Sequence, residues 1–183
     1  MISLSTSSKS VIRNLAFGAL VLVALPGAVR AQAGKAAKPM ITIDGSADPG
    51  RIPAWIGWCE LFNMVLIMAD KEPDAGQEFW TRRLGLSPAQ TNRLIAYARS
   101  LQDDEKKIDL QAKKLSEGSK GKPAGAIKAQ LHELQADKQS RVLGMRDLLK
   151  GQIGTETVLR LQSFIQFNIA PKIKVGVLVP DGK

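Results

Sequence analysis

Residues 94 to 115 read LIAYARSLQDDEKKIDLQAKKL, and apolar side chains recur in this stretch at alternating intervals of four and three residues. That spacing is typical of a helix that packs along one stripe against a neighbouring helix. One position of the stripe holds a glutamate in place of an apolar residue. The stretch predicts a long helix whose seam is formed by Leu94, Ala98, Leu101, Glu105, Ile108, Ala112 and Leu115.

The sequence also marks both ends of this helix. Ser87, Pro88 and Gln90 form a Ser-Pro-x-Gln start: the serine caps the helix, the proline suits its first position, and the glutamine side chain returns to the backbone N–H of the serine. The segment 117 to 123, EGSKGKP, is rich in glycine and closes with a proline, so it should stop the helix.

A second helix with a similar seam is predicted for residues 124 to 150. When two helices fold back antiparallel, facing residues have numbers with a nearly constant sum, and the two seams meet this condition at every layer. The resulting register places Glu105 opposite Lys138. We interpret this pair as a device that fixes the register; the alternative is that both side chains extend outward to water. The second seam consists of Ile127, Leu131, Leu134, Lys138, Val142, Met145 and Leu149.

Two further segments predict shorter helices that pack against this hairpin. Residues 54 to 69, AWIGWCELFNMVLIMA, are apolar almost all round, which is typical of a buried helix. Residues 156 to 169 have one apolar face and are followed by Pro171. We therefore predict an all-α fold, a small helical bundle in which two or three shorter helices pack against a long antiparallel hairpin.

The chain is predicted to contain one domain, with irregular or extended segments on both sides. We expect a signal peptide at 1 to 33, an irregular leader at 34 to 52, the helical domain at 53 to 171 and an extended tail at 172 to 183. The tail alternates in a strand pattern, and its only extended partner in the leader is the MITI stretch that begins at Met40. A two-strand contact and a strand packed on the helices are both left open.

The first 33 residues have the three-part layout of a secretory signal peptide. Lys9 and Arg13 precede the apolar run LAFGALVLVAL at 15 to 25, and Pro-Gly and AVRAQA follow it. This run of 11 residues is shorter than the roughly 20 that a membrane-spanning helix needs. We predict a cleaved signal peptide and a periplasmic or secreted location.

The charge pattern does not predict nucleic-acid binding. The formal net charge of +9 falls to +6 without residues 1 to 33, because they carry three basic residues and no acid. The remaining basic residues are interspersed with acids, which is typical of a solvated helix surface. Tyr97 is the only aromatic residue between Trp80 and Phe164, so few rings are present on which bases could stack.

The residue types that carry catalysis or bind metals are scarce. His132 is the only histidine and Cys59 the only cysteine, whereas structural zinc needs about four ligands at close spacing. Neither a Gly-x-Ser-x-Gly elbow nor a phosphate-binding loop is present. We predict no catalytic, metal or cofactor site, we expect that the protein is not an enzyme, and we interpret Cys59 as a buried thiol.

The aromatic residues are concentrated near the start of the helical domain, at Trp55, Trp58, Phe62 and Trp80. We favour core for these four residues, because a long two-helix seam needs an apolar cover; the alternative is that they are partner-binding residues that line a groove for an apolar segment. The expected partner is a protein or an unfolded client, and a homodimer is left open. A membrane surface is a further alternative, contacted by the aromatic helix together with Lys172 and Lys174 of the tail.

Leu86-Ser87-Pro88-Ala89-Gln90, at the start of a long helix, resembles the Leu-Thr-x-x-Gln motif of the Spy/CpxP group of periplasmic stress proteins. That group consists of small helical proteins, some of which are ATP-independent chaperones that form cradle-like dimers. The order of segments is also similar to that of uncharacterised secreted helical proteins of bacteria. The resemblance implies a small helical protein with chaperone-like activity. Taken with the rest of the sequence, we predict a non-catalytic exported protein that binds protein partners or non-native chains; attachment to the envelope surface is the alternative.

Overall fold

A computed structural model describes residues 40–118 and 124–178 of the chain. The predicted signal peptide, residues 1 to 33, lies outside the described residues, as does the turn at 119 to 123. The described ranges include both long helices and every shorter helix that the sequence predicts.

The two long helices form the predicted antiparallel hairpin. Helix α3 spans Pro88–Glu117 and helix α4 spans Ala124–Ile153. The start of α3 has the predicted capping box, because the Gln90 N–H donates to Ser87 Oγ at 3.2 Å and the Ser87 N–H donates to Gln90 Oε1 at 2.9 Å. The predicted fold class, a helical hairpin packed by shorter helices, is confirmed.

The end of α4 differs from the prediction, which stopped this helix at residue 150. The helix continues through Gly151 to Ile153, because the Ile153 side chain is buried in the core. The chain then turns at Gly154, whose φ of +91° lies in a region that favours glycine. Helix α5 begins at the next residue and spans Thr155–Phe164.

Three shorter helices pack against the hairpin: α1 (Ala54–Lys71), α2 (Pro73–Leu84) and α5. A π-helical turn, Ile165–Ile169, and a 3-10 turn, Ala170–Lys172, extend α5. Helix α1 contacts α3, α4 and the π-helical turn, so its apolar surface is covered from several sides. This packing explains why its sequence is apolar almost all round.

A pair of short strands joins the leader to the tail. Strand β1, Met40–Asp44, pairs antiparallel with β2, Lys174–Leu178, so the two-strand contact left open by the sequence is present. Lys174 Nζ lies 2.8 Å from Asp44 Oδ2 at one end of the pair. The leader is therefore not irregular throughout, since it holds β1 and a 3-10 turn at Pro49–Arg51.

The hairpin has two parts that differ in burial. In the base, residues 88–108 and 138–153, seam side chains such as Leu94, Leu101 and Val142 are at most 1% exposed. In the arm, the described residues of 109–118 and 125–137, no residue is buried. The arm includes the last nine residues of α3, 109–117, which corresponds to about 14 Å of helix.

Candidate functional site

The four aromatic residues that are candidates for partner binding lie mostly in the core. Trp58, Phe62 and Trp80 are only 1 to 2% exposed, and Trp55 is half-buried against the same core. The ring centroids of Trp58 and Phe62 are 5.8 Å apart, and Trp80 packs edge-on against Phe79 at 4.9 Å. Trp58, Phe62 and Trp80 therefore form core, as the sequence favoured, because α1 and α2 turn these rings toward neighbouring helices; they do not line an exposed groove.

Of the residues named for contact with a membrane, those of α1 and Lys174 are engaged elsewhere. The apolar surface of α1 is covered by α3 and α4, and Lys174 forms an ion pair with Asp44. Lys172 remains exposed at the end of the 3-10 turn. Helix α1 therefore does not offer a lipid its aromatic face.

Glu105 and Lys138 meet at the boundary between the base and the arm. Lys138 Nζ lies 3.7 Å from Glu105 Oε1, and each side chain is 11% exposed. The alternative in which both side chains extend to water is therefore wrong. Helix α1 contributes to this charged layer through Cys59, whose Sγ donates to Glu105 Oε1 at 3.2 Å. Within the hairpin, Lys138 Nζ also donates to Asp109 Oδ1 at 3.4 Å.

The surroundings of the charged layer shift the pKa values of its members. Burial, together with the negative charge of Glu105, raises the pKa of the Cys59 thiol far above its ordinary value, so the thiol stays protonated and unreactive. Burial acts to lower the pKa of Lys138, but the charges of Glu105 and Asp109 outweigh it and raise the pKa. Burial, aided by Glu105, also raises the pKa of the half-buried Glu60.

These contacts indicate what the charged layer can do. Within the described chain, no buried side-chain nitrogen or oxygen lacks a hydrogen-bond partner. The carboxylate of Glu105 is engaged by a thiol and an ammonium group that both come from neighbouring helices. A layer in which the polar groups satisfy one another fixes how helices pack.

The arm carries a groove between its two helices, with a volume of about 530 Å³. Leu115 of α3 and Leu134 of α4 line it, and both are half-buried seam residues. The described part of the arm contains no buried residue, on α3 or on α4. The rim is polar and is formed by Gln111, Lys114, Gln130, Glu133 and Asp137.

A second groove, with a volume of about 430 Å³, lies between α2 and the α5 extension. Phe167 and Leu159 line it and are 77% and 56% exposed. The sequence prediction missed this surface because it considered only the buried face of the last helix. The available signal was that Leu159 and Phe167 fall outside that face, which is formed by Val158, Leu161, Phe164, Ile165 and Ile169.

The described residues contain no cluster suited to a metal ion and no membrane-spanning helix. Within residues 40–118 and 124–178, no three His, Cys, Asp or Glu side chains are grouped so that they could hold a metal ion. His132 is exposed on the arm. The described helices include none that is both long enough and apolar enough to span a membrane.

Comparison with known proteins adds no relative. No protein-family model matches the chain, and no match is found among curated proteins or solved structures. The resemblance of the LSPAQ stretch to the Spy/CpxP motif therefore stays a prediction.

Proposed function

We propose that this chain is a non-catalytic, exported helical protein that binds apolar segments of protein partners or non-native chains, and that the arm of the hairpin is its binding surface. The observation that carries the proposal is the groove on the arm, where the apolar seam of two long helices is only partly buried. In the base, the same kind of seam is covered by a third helix, α1.

A partner segment that covers the arm seam would take the apolar side chains of that seam out of water. Removal of apolar surface from water stabilises a complex by about 25 cal/mol per Å². A partner segment lying along Leu115 and Leu134 would take the place on the arm that α1 takes on the base. An arm of about 14 Å accommodates roughly two to three helical turns of a partner, so the contact is small and favours binding that is readily reversed.

The rim of the groove favours a broad range of segments over a single one. Lys114 stands on the α3 side, while Glu133 and Asp137 stand on the α4 side. Basic and acidic residues on a bound segment can each approach an opposite charge, because both signs are present around one apolar floor. Broad selectivity of this kind suits a chaperone-like protein or an adaptor.

Features of the sequence support the remaining parts of the proposal. The layout of the first 33 residues is that of an export signal, and the scarcity of histidine and cysteine agrees with a non-catalytic role. The stretch from Leu86 to Gln90 resembles the Spy/CpxP motif. This resemblance adds the expectation of a chaperone activity that does not need ATP. Binding of partners in the bacterial envelope is therefore the function that we propose.

The direct test is suppression of aggregation. The purified protein, mixed at several-fold excess with heat-unfolded citrate synthase and no ATP, should lower light scattering. Leu115→Ser together with Leu134→Ser should remove most of the effect, because it makes the floor of the groove polar. The matched control is Leu110→Ser, since Leu110 is 58% exposed on α3 and does not line the groove.

Two results would contradict the proposal. One is scattering that stays unchanged at several-fold excess of the wild-type protein. The other is an equal loss of activity in the Leu110 control and in the groove variant, which would mean that general surface apolarity is responsible. Circular dichroism of each variant confirms that the helices are intact before the comparison is made.

Attachment to the envelope surface is the alternative function, and it has a separate test. Co-sedimentation with vesicles of phosphatidylglycerol should be strong at low salt and should weaken as salt is added, if basic residues contact the lipid. No vesicle association at low salt would remove this alternative.

A further inference from the structure

The groove between α2 and the α5 extension differs from the groove on the arm, because its apolar side chains protrude. Phe167 is 77% exposed and Leu159 is 56% exposed, whereas Leu84 beneath them is buried. Large exposed apolar side chains that border a concave surface are typical of sites where a partner docks.

The backbone holds Phe167 in place. Ile165 and Ile169, at the two ends of the π-helical turn, are both buried in the core, so the turn is anchored on either side of Phe167. Short π-helical turns are frequent at functional sites. The ring therefore projects from a fixed segment that packs against α1, and α1 is part of the core.

Two arginines give this groove a positive edge. Arg83 and Arg160 both line it and are exposed, and neither forms an ion pair with a carboxylate within the described residues. Arg82, the neighbour of Arg83, is by contrast paired with Glu78. Glu156 is the single acidic side chain on the lining, so the net charge of the groove is positive.

The position of Arg160 is set by a close contact with the end of α2. Its Nη1 lies 2.7 Å from where a Cβ would stand at Gly85, and Gly85 has a φ of +64°. Its Nη2 also donates to Thr157 Oγ1 at 3.4 Å. A glycine at this position lets the guanidinium approach the backbone, so the charge is held beside the apolar floor of the groove.

We infer that this groove is a second docking site, specific for a protein segment that carries an apolar side chain and a carboxylate. Arg160 and Phe167 are seven residues apart, which corresponds to about 10 Å along the helix. The apolar side chain would pack on Phe167 and Leu159, and the carboxylate would face Arg83 and Arg160. A helical segment offers such a pair two turns apart, and an extended segment offers it three residues apart.

The observations favour a protein segment over an anionic lipid surface. A bilayer is contacted by a continuous apolar and basic face, whereas this groove is concave and includes Glu156, Ser163 and Asn168 on its lining. These polar groups suit hydrogen bonding to a peptide backbone or side chain. Binding to a lipid surface is therefore an outcome that the test must distinguish.

The experiment uses two synthetic 14-residue amphipathic helical peptides with the same phenylalanine and leucine stripe, flanked by glutamates in one and by lysines in the other. Binding of each labelled peptide to the intact protein is measured by fluorescence anisotropy. We expect the acidic peptide to bind at least tenfold more tightly than the basic one. Phe167→Ser should weaken its binding at least tenfold, and Leu148→Ser is the matched control, since Leu148 is 61% exposed and lies outside the groove.

A charge reversal gives the decisive result. Arg83→Glu should invert the preference, so that the basic peptide binds more tightly than the acidic one. Arg83 suits this test better than Arg160, because Arg160 packs on Gly85. If Phe167→Ser fails to fold, Leu159→Ser carries the same expectation of weakened binding.

Several outcomes would overturn the inference. They are equal binding of the two peptides, a preference that survives Arg83→Glu unchanged, and a Leu148→Ser variant that loses as much affinity as Phe167→Ser. Binding to phosphatidylglycerol vesicles that depends on Phe167, with no binding of either peptide, would assign the groove to lipid instead. Because the arm groove is itself proposed to accept apolar segments, all peptide titrations are repeated in the Leu115→Ser, Leu134→Ser background. Peptide preference that persists there reports the groove of Phe167 and Arg83 whether or not the proposed function holds.

Discussion

The base and the arm of the hairpin are parts of the same two helices and share one spacing of seam residues, yet only the base has a buried seam. Leu101 in the base is 1% exposed, whereas Leu115 in the arm is half-buried. The difference comes from the shorter helices: α1 contacts α3 through Asp70 at Arg99 and through Cys59 at Glu105, and α2 and α5 also contact the hairpin. A two-helix seam therefore becomes a core only where a third element covers it.

The charged layer marks the boundary between these two parts. Glu105 is the last polar seam residue before the arm, and Ile108 is the last buried residue of α3. Opposite them, Lys138 is the first buried residue of the described part of α4. A polar layer here costs less than one deeper in the base, because Cys59 and Asp109 supply further hydrogen bonds.

The largest expected effect comes from reversing one charge of this layer. Glu105→Lys places two ammonium groups together in a mostly buried site and should lower the free energy of unfolding by about 4 kcal/mol. Adding Lys138→Glu restores an opposite pair and should recover only part of the loss, because the new glutamate faces Asp109. Urea denaturation of the two single variants and the double variant gives the coupling energy.

The control for this cycle lies on the arm. Lys113 and Glu117 form an exposed pair with Nζ and Oε1 3.8 Å apart, and reversal of either charge there should have no measurable effect. A coupling energy close to zero between positions 105 and 138 would contradict the role of the layer in fixing the register.

The next largest effect is expected from truncating a seam leucine in the base, compared with the same change in the arm. Leu101→Ala removes a fully buried side chain and should destabilise the protein by about 3 kcal/mol. Leu115→Ala removes the same atoms from a half-exposed site and should cost about 1 kcal/mol or less. Chemical denaturation measures both. Equal costs would mean that the arm seam is covered in solution, for example by a second copy of the chain.

How far the sequence predicts this molecule depends on whether a signal is local. The hairpin register and the Ser87 cap follow from residues close together in the chain, and both could be predicted. The point along the hairpin where α1 stops could not, because a helix that is apolar almost all round does not indicate which neighbour each face meets. The same reason explains why Trp58 could be assigned to core or to surface from its sequence alone.

Other errors have equally physical origins. Gly151 is a poor helix residue, but burial of Ile153 outweighs that local preference and extends α4. The sequence around Phe167 gives no sign that its side chain is exposed. That exposure becomes evident only once α2 and α5 are placed side by side. Sites formed between distant segments are therefore the part of this protein that sequence patterns describe least well.

A smaller effect is expected when the contribution of α1 to the charged layer is removed. Cys59→Ala removes the thiol that donates to Glu105 and leaves a small cavity, so it should destabilise the protein by about 1 to 2 kcal/mol. Cys59→Ser keeps a donor and should cost less. Thermal unfolding followed by circular dichroism compares the two variants. A larger loss for serine than for alanine would mean that packing outweighs the hydrogen bond.

The smallest effect concerns Glu60, which borders the layer from α1. Its pKa is raised in the folded state, so its contribution to stability is fully present below the unfolded-state value of about 4.5 and is lost as the pH rises through the folded-state pKa. At neutral pH the ionised carboxylate therefore opposes folding. Glu60→Gln should stabilise the protein by about 0.5 kcal/mol at pH 7, with the gain shrinking toward pH 4. Urea denaturation at the two pH values measures it, and a gain that instead grows on acidification would show that Glu60 is stabilised as a carboxylate by Lys138.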